Sequence, residues 1–448
     1  MSNIRMGIGL LGFGTVGGGL YTLLRGHGKG IQTEYGVDFD VKKILVRDIH
    51  RKRSIAIPKG RGVTSFQEIL NDPSIDIVVE VMGGEKPAGE YIVAALKAGK
   101  HVITANKSLM AKDGEKLVAR ARQYGRYFGF LGAVTGCHQF CSYIANSVIV
   151  RSLVGVFNST SNFILTEMEA GHGFDEAVKL AQARGYAESD PASDVDGIDT
   201  RNKLVILSRL AFGVFLDREK IPMSGIRNIT KLDMEYARKL GYAIKLLGVA
   251  RPTPDGKIEA SVHPSFVPLS HQLASVKGIE NGLQVNDDFR GAQVMVAKGA
   301  GADPTAVAIL RDLIAMSQKE SIIWTAGERS RFAFKYAKRH STVHKFYVRM
   351  TVENRPGVLA SVLKVLGRHD VNITSVLQHD ATTLKAVPVV IMCGPSEEAI
   401  IRKAVKEIES LHVIDDTSQI IQVEDSLCDA DCKTNSGNEA SPNYAVAT

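Results

Sequence analysis

The chain has 448 residues, 44% hydrophobic and 23% charged, with 55 lysines and arginines against 48 acidic residues for a net charge of +7. At roughly 100–200 residues per domain this is two to four folded domains, and the composition excludes an intrinsically disordered chain. No run reaches the roughly 18 apolar residues of a spanning helix, and the apolar start lacks a cleavage signal. Five cysteines build no disulfide framework, and a single basic cluster with one tryptophan does not make a nucleic-acid surface. A cytoplasmic protein without membrane or nucleic-acid partners is expected. Cys137, His138 and Cys141, and Cys428 with Cys432, lack zinc-ribbon spacing and read as plain thiols.

Residues 4–12 form a short apolar run that reads as a strand, followed by a glycine turn and a helical pattern over 16–24. Further strands are expected at 41–46, 75–82 and 101–104, with helices at 65–70 and 90–98. Strands alternating with helices predict an α/β, Rossmann-like parallel sheet, a dinucleotide-binding domain over 1–150. From 151 to 300 the texture changes, with helices at 175–184 and 196–215 and strands near 154–157 and 260–267. This predicts a mixed α/β domain for substrate binding and dimerisation. A helix at 303–315 carries Pro304 in its first turn, and the segment 300–330 could rejoin the first domain. After Arg339 come strands at 344–353, 372–379, 383–393 and 417–424 and helices at 356–368 and 396–411. That βαββαβ order is a ferredoxin-like unit, placed at 341–425, and the boundary near Ser341 predicts that it can be removed without unfolding the rest. The tail 426–448 has no periodicity and reads as disordered.

Gly12-Phe13-Gly14-Thr15-Val16-Gly17 sits between the first strand and the first helix, the context that makes a glycine triplet a dinucleotide fingerprint. Gly12 permits the tight turn, Gly14 lets the backbone approach a pyrophosphate, and Gly17 lets the helix pack on the strand. Asp48 follows the second strand, where a ribose-binding acid belongs, yet Arg47, Arg51, Lys52 and Arg53 surround it. Such cations suit the 2′-phosphate of NADP, with NAD as the alternative. Lys107 follows the strand at 101–104 and faces the crevice at the carboxyl ends of the strands. Asp196, Asp199 and Lys203 fall at i, i+3 and i+7 on one helix face, and by spacing alone Asp199 and Lys203 also read as an exposed ion pair.

Five segments carry a resemblance: Ile8-Gly-Leu-Leu-Gly-Phe-Gly-Thr-Val-Gly17, Thr104-Ala-Asn-Lys107, Asn158-Ser-Thr-Ser-Asn162, Glu188 through Lys203, and Gly299-Ala-Gly-Ala-Asp-Pro-Thr305. In these the chain resembles monofunctional homoserine dehydrogenase with a C-terminal ACT domain over nearly its full length. No aspartokinase-sized segment precedes Met1, which points to the monofunctional type. The resemblance implies NAD(P)H-dependent reduction of L-aspartate 4-semialdehyde to L-homoserine, a step in threonine, methionine and isoleucine biosynthesis, by a homodimer or homotetramer. It assigns proton donation to Lys203, with Lys107 beside it near the nicotinamide, and substrate binding to Glu188, Asp194 and Asp199, Glu188 holding the amine.

The resemblance breaks at 131–139. Family members carry a glutamate and a glycine-rich turn ending in Ile-Pro, whereas this chain reads Leu131-Gly-Ala-Val-Thr-Gly-Cys137-His138-Gln139, and Asn158-Ser-Thr-Ser replaces Asn-Gly-Thr-Thr. The lost glutamate helps hold a monovalent cation in the family, which argues against such a cation here and leaves any metal unassigned. The altered turn keeps open a dehydrogenase of a related amino or hydroxy acid aldehyde, or a non-catalytic regulator that binds nucleotide and amino acid. Glu353-Asn354-Arg355-Pro356-Gly357-Val358-Leu359 resembles the strand-to-helix turn of ACT domains. Asn354, Pro356 and Gly357 are the implied contacts for an amino acid effector, threonine by the family's use, with Pro356 suited to the first helical turn. A domain that only joins subunits is the alternative.

Overall fold

The computed structural model describes residues 4–134, 137–147, 149–253, 255–299, 302–319, 335–336, 343–378 and 385–427. Thr135, Gly136, Ala300, Gly301, Ser341 and the tail from Cys428 on lie outside them. The chain divides into one unit of Met1–Leu153, Asp199–Ile221 and Met295–Phe334, and a second of Val154–Ile198, Pro222–Val294 and Lys335–Thr448.

In chain order the strands are β1 (Ile4–Leu11), β2 (Val37–Leu45), β3 (Gly62–Val63), β4 (Ile77–Glu80), β5 (His101–Thr104), β6 (Phe128–Gly129), β7 (Val150–Val156), β8 (Tyr242–Pro252), β9 (Lys257–Pro268), β10 (Glu280–Asp287), β11 (Gly291–Lys298), β12 (Lys335–Tyr336), β13 (Val343–Glu353), β14 (Ile373–Gln378), β15 (Ala386–Glu397) and β16 (Gln419–Val423). The helices are α1 (Thr15–Tyr35), α2 (Gln67–Leu70), α3 (Ala88–Lys97), α4 (Lys107–Gln123), α5 (His138–Asn146), α6 (Ser159–Glu169), α7 (Phe174–Ala183), α8 (Ala192–Val195), α9 (Ile198–Phe212), α10 (Lys231–Lys239), α11 (Ala302–Ser317), α12 (Val358–Arg368) and α13 (Glu398–Glu409).

The first unit holds a six-stranded sheet in the order β3-β2-β1-β4-β5-β6 with every pair parallel. This is the doubly wound arrangement, whose ligand crevice opens where the strand order reverses, between β1 and β4. Ile8, Leu10, Ile77, Val79 and Ile103 of the sheet close a core with Leu20, Tyr21 and Leu24 of α1 and with Ala306, Ile309, Leu313 and Met316 of α11. α1 runs further than the sequence suggests, to Gly36 at φ 68°, a left-handed stop suited to glycine. The sequence reading holds no helix at 107–123. α4 forms there from an Asn106 cap, and its mostly charged surface blurs the apolar period.

Asp312 of α11 is fully buried, with Oδ2 accepting the Leu131 N–H (2.9 Å) and Oδ1 the Tyr127 hydroxyl (3.4 Å). Burial pushes its carboxyl up to about 7. An acid whose folded pKa lies above its unfolded one adds stability that is fully present below the ordinary carboxylate range and lost as pH rises through about 7. Chemical denaturation of Asp312→Asn against wild type should therefore show the variant gaining relative stability between about pH 5 and about pH 8. A difference that stays constant with pH would contradict this assignment.

The second unit holds a ten-stranded sheet in the order β11-β10-β7-β8-β9-β16-β13-β15-β14, with β12 also on β9. The βαββαβ unit of β13 to β16 has its own core, where Val348, Met350, Val389 and Ile391 of the sheet meet Val362, Leu366, Ile401 and Ile408 of α12 and α13. It is not a separable module. β16 lies parallel to β9, placing Gln422 opposite Ser265 and Val423 opposite Phe266, and Tyr347 packs on Phe266 at 4.8 Å between ring centroids. Asp233 of α10, wholly buried, accepts from Tyr347 Oη (2.8 Å) and Arg349 Nε (2.7 Å) of β13. Removing residues 341 onward would take Tyr347 and Arg349 from that carboxylate, leaving it the Thr230 amide and hydroxyl, and would bare the β9 edge, so the clean truncation expected from sequence does not follow. Breaking one buried ion pair costs about 3–5 kcal/mol. Arg349→Met should lose about 3 kcal/mol or more in urea unfolding, and a loss under about 1 kcal/mol would show that the pair does not join the two parts.

Candidate active site

The glycine turn closes β1 onto α1. Gly12 sits at φ +101°, where a Cβ would lie 2.8 Å from the Val81 carbonyl oxygen, and a Cβ on Gly17 would lie 2.3 Å from the Gly12 oxygen, so both positions need glycine. Gly14, the α1 N-cap, is exposed with open space where its Cβ would stand, and no side chain caps the helix. Those bare amides and that space fit the pyrophosphate of a dinucleotide. Thr15 is exposed and Val16 half-buried, but the Phe13 side chain turns into the core against Tyr21, leaving only its backbone for a ligand. Arg47, Arg51 and Lys52 are exposed just past β2. The Asp48 carboxylate accepts its neighbour His50 N–H (2.8 Å), while Arg53 donates to the carbonyls of Arg51 and Asp48.

At the far side of the switch point, Glu80 ends β4 fully buried. It accepts from Thr104 Oγ1 (2.6 Å) and the Met82 N–H (2.8 Å), and burial raises its pKa above the ordinary range. Asn106 then caps α4, its Oδ1 accepting the Leu109 N–H (3.1 Å) and its Nδ2 donating to the Gly84 carbonyl. These bonds fix the backbone from which Lys107 starts. Lys107 Nζ donates to Asp199 Oδ1, and Lys203 Nζ lies 3.0 Å from Asp199 Oδ2. The Lys203 and Asp199 side chains are 4% and 6% exposed, so the surface-pair reading is excluded. Arg218 ties this region together, donating to Glu85 (2.9 Å) and to the Ser108 carbonyl (3.2 Å).

Asp196 does not share that helix face. Gly197, at φ +86°, breaks the chain before α9, and Asp196 ends α8 and pairs with Arg227. The one-face reading assumed a helix running unbroken from 196, which the left-handed glycine prevents.

In the second unit Asn158 caps α6 through the Ser161 N–H (2.7 Å) and donates its Nδ2 to Asp194 Oδ1 (2.6 Å). Glu188 is exposed, its carbonyl held by Gln182 Nε2 (3.1 Å). Asn162, at the far end of the Asn158 motif, donates to the carbonyls of Gly278 and Glu280 and is a packing element. Asn354 to Gly357 form an exposed turn in which Gly357, at φ +89°, is the uncapped N-cap of α12. Pro356 precedes that cap and is not in the first helical turn as expected, because the left-handed glycine at the cap starts the helix at Val358, two residues later than the sequence suggests.

Glu80, Glu85, Arg218 and Asp312 escaped the sequence reading, and Asn106 entered it only as part of the Thr104–Lys107 segment, without its capping role. Asn106 alone carried a signal, a capping residue directly after a strand. Among the described residues no three histidine, cysteine or acidic groups are placed to hold a metal ion, and no helix is long and apolar enough to cross a membrane.

The homoserine dehydrogenase profile matches residues 139–314, the NAD-binding domain of the same enzymes matches 12–130, and an ACT domain matches 346–410. The chain is 37% identical to homoserine dehydrogenase of Lactococcus lactis over 87% of its own length and 92% of that protein's, and 32% identical to that of Bacillus subtilis over 93% and 98%. A crystal structure of a homoserine dehydrogenase from Thiobacillus denitrificans superposes with a TM-score of 0.85 at 33% identity, covering 95% of this chain and 99% of that one. Sheet order, glycine cradle, ACT unit and these likenesses agree, and the chain belongs to the homoserine dehydrogenase family, NAD(P)-dependent oxidoreductases that reduce L-aspartate 4-semialdehyde to L-homoserine.

Proposed function

We propose that Lys203 protonates the aldehyde oxygen of L-aspartate 4-semialdehyde, that Lys107 assists beside it, and that Glu188, Asp194 and Asp199 bind the amino acid substrate with Glu188 on the amine. The observation that supports this is one buried carboxylate, Asp199, fixing the ammonium groups of both lysines. The bound cofactor supplies a hydride to the aldehyde carbon, and negative charge grows on its oxygen. An ammonium already in place stabilises that oxygen and gives it a proton, an effect worth about 10²–10³ in rate for one such group. Gly14 leaves room for the pyrophosphate, Gly12 and Gly17 let the turn close around it, and the first turn of α1 offers its amides. Homoserine oxidation followed with NADP and NAD tests the reading. Lys203→Ala and Lys107→Ala should each lose about 10²-fold in kcat with cofactor Kd held, and Glu188→Ala should mainly raise KM for homoserine. Near-wild-type kcat in both lysine variants would overturn the assignment.

NADP is the preferred cofactor in this reading. Arg47, Arg51 and Lys52 are exposed beyond β2, where a 2′-phosphate would lie. Neutralising the three should weaken NADP over NAD by a few kcal/mol, at about 1.5–3 kcal/mol per charge-assisted bond. Equal losses for both cofactors would make them ordinary surface charge.

The enzyme works as a cytoplasmic homodimer or homotetramer, with threonine as the effector at Asn354, Pro356 and Gly357. A side chain at Gly357 is strained by its φ of +89°, not by crowding, since a Cβ there meets nothing within 4 Å. Gly357→Val should abolish the heat of threonine binding and leave uninhibited turnover unchanged. Undiminished threonine binding by the variant would place the effector elsewhere.

A further inference from the structure

Asp312 is a buried acid that stands apart from the lysine cluster. It lies on the face of α11 that carries Ala306, Ile309, Leu313 and Met316 into the core, and a carboxyl there costs more to bury than an apolar side chain. Its contacts show where that cost is offset. Oδ2 accepts the N–H of Leu131, first residue of the 3-10 turn Leu131–Val134, which is buried throughout. A Cβ on Gly129 would stand 2.7 Å from Asp312 Cγ, so the strand before the turn is glycine where the carboxyl comes in. One residue into the turn, a Cβ on Gly132 would stand 2.9 Å from the Ala105 Cβ and 3.1 Å from Ile309 Cγ1. α11 therefore holds this segment at two points, and the segment lies against Ala105, two residues before Lys107.

We propose that Asp312 is a positioning residue for the reaction: by anchoring the Leu131 amide it holds the Leu131–Val134 turn against Ala105 and so sets the backbone from which Lys107 reaches Asp199. The proposal rests on the reading of Lys107 as a reactive-site lysine. It also gives the altered segment a defined part to play, since the anchor is a backbone amide and survives the presence of leucine at 131.

A double-mutant cycle on the full-length protein tests it, with kcat and KM for homoserine and the cofactor measured for Asp312→Leu, Asp312→Asn, Lys107→Ala and Asp312→Leu/Lys107→Ala. Asp312→Leu should lose about ten-fold in kcat with cofactor KM within about two-fold, and Asp312→Asn, which keeps an acceptor for the amide, should stay within about three-fold of wild type. In the Lys107→Ala background Asp312→Leu should add less than about two-fold, because the group it positions is gone. Wild-type kcat in Asp312→Leu, a full additional ten-fold loss in the double variant, or a parallel loss in Asp312→Asn would overturn the proposal. Wild-type kcat in Lys107→Ala alone would instead sink the reading of the lysine. Should Asp312→Leu fail to fold, Gly129→Ala, which drives a methyl into the carboxyl, is read by the same criteria.

Discussion

A carboxylate taken out of water and bonded to two ammonium groups is the constraint around which the first unit is arranged. Desolvating such ions costs several kcal/mol apiece unless geometry compensates, and Asp199 meets Lys107 and Lys203 only if two helix starts are held in place. α9 begins after a left-handed glycine, which turns the chain so that Asp199 falls in its first turn and Lys203 one turn on. α4 begins from an asparagine cap whose backbone is pinned through Thr104 and Ala105 to Glu80.

The second unit distributes its constraints differently. Its ACT part extends the same sheet as the β7 to β10 strands through the β9–β16 pair, and Asp233 binds two side chains of β13. An effector acts only by favouring one state of the enzyme over another. A continuous sheet with a buried ion pair across it joins the ACT strands to the β7 to β10 strands.

The alternating strands and helices, the glycine cradle and the βαββαβ order were legible because each repeats a local pattern: period-two or period-3.6 apolar spacing, or a turn that demands glycine. Lys107, Asp199 and Lys203 were legible as residues, but not as a single ion cluster, since 92 positions separate Lys107 from Asp199 and no local rule joins them. Asp196 misled for the opposite reason: its i+3 and i+7 spacing was valid only for an unbroken helix, and Gly197 breaks it. The tie between the ACT unit and α10 was hidden as well. Asp233 fell outside every expected element, Tyr347 and Arg349 fell within the expected strand at 344–353, and their pairing is fixed only when β13 joins the larger sheet.

The most direct test of the account is steady-state homoserine oxidation by Asp199→Asn, which keeps the size of the side chain and removes its charge. If this carboxylate holds both lysines in place, kcat falls by about 10²-fold while cofactor Kd stays within about two-fold of wild type. Wild-type kcat in that variant would show that the lysines need no such anchor, and the central claim would fail.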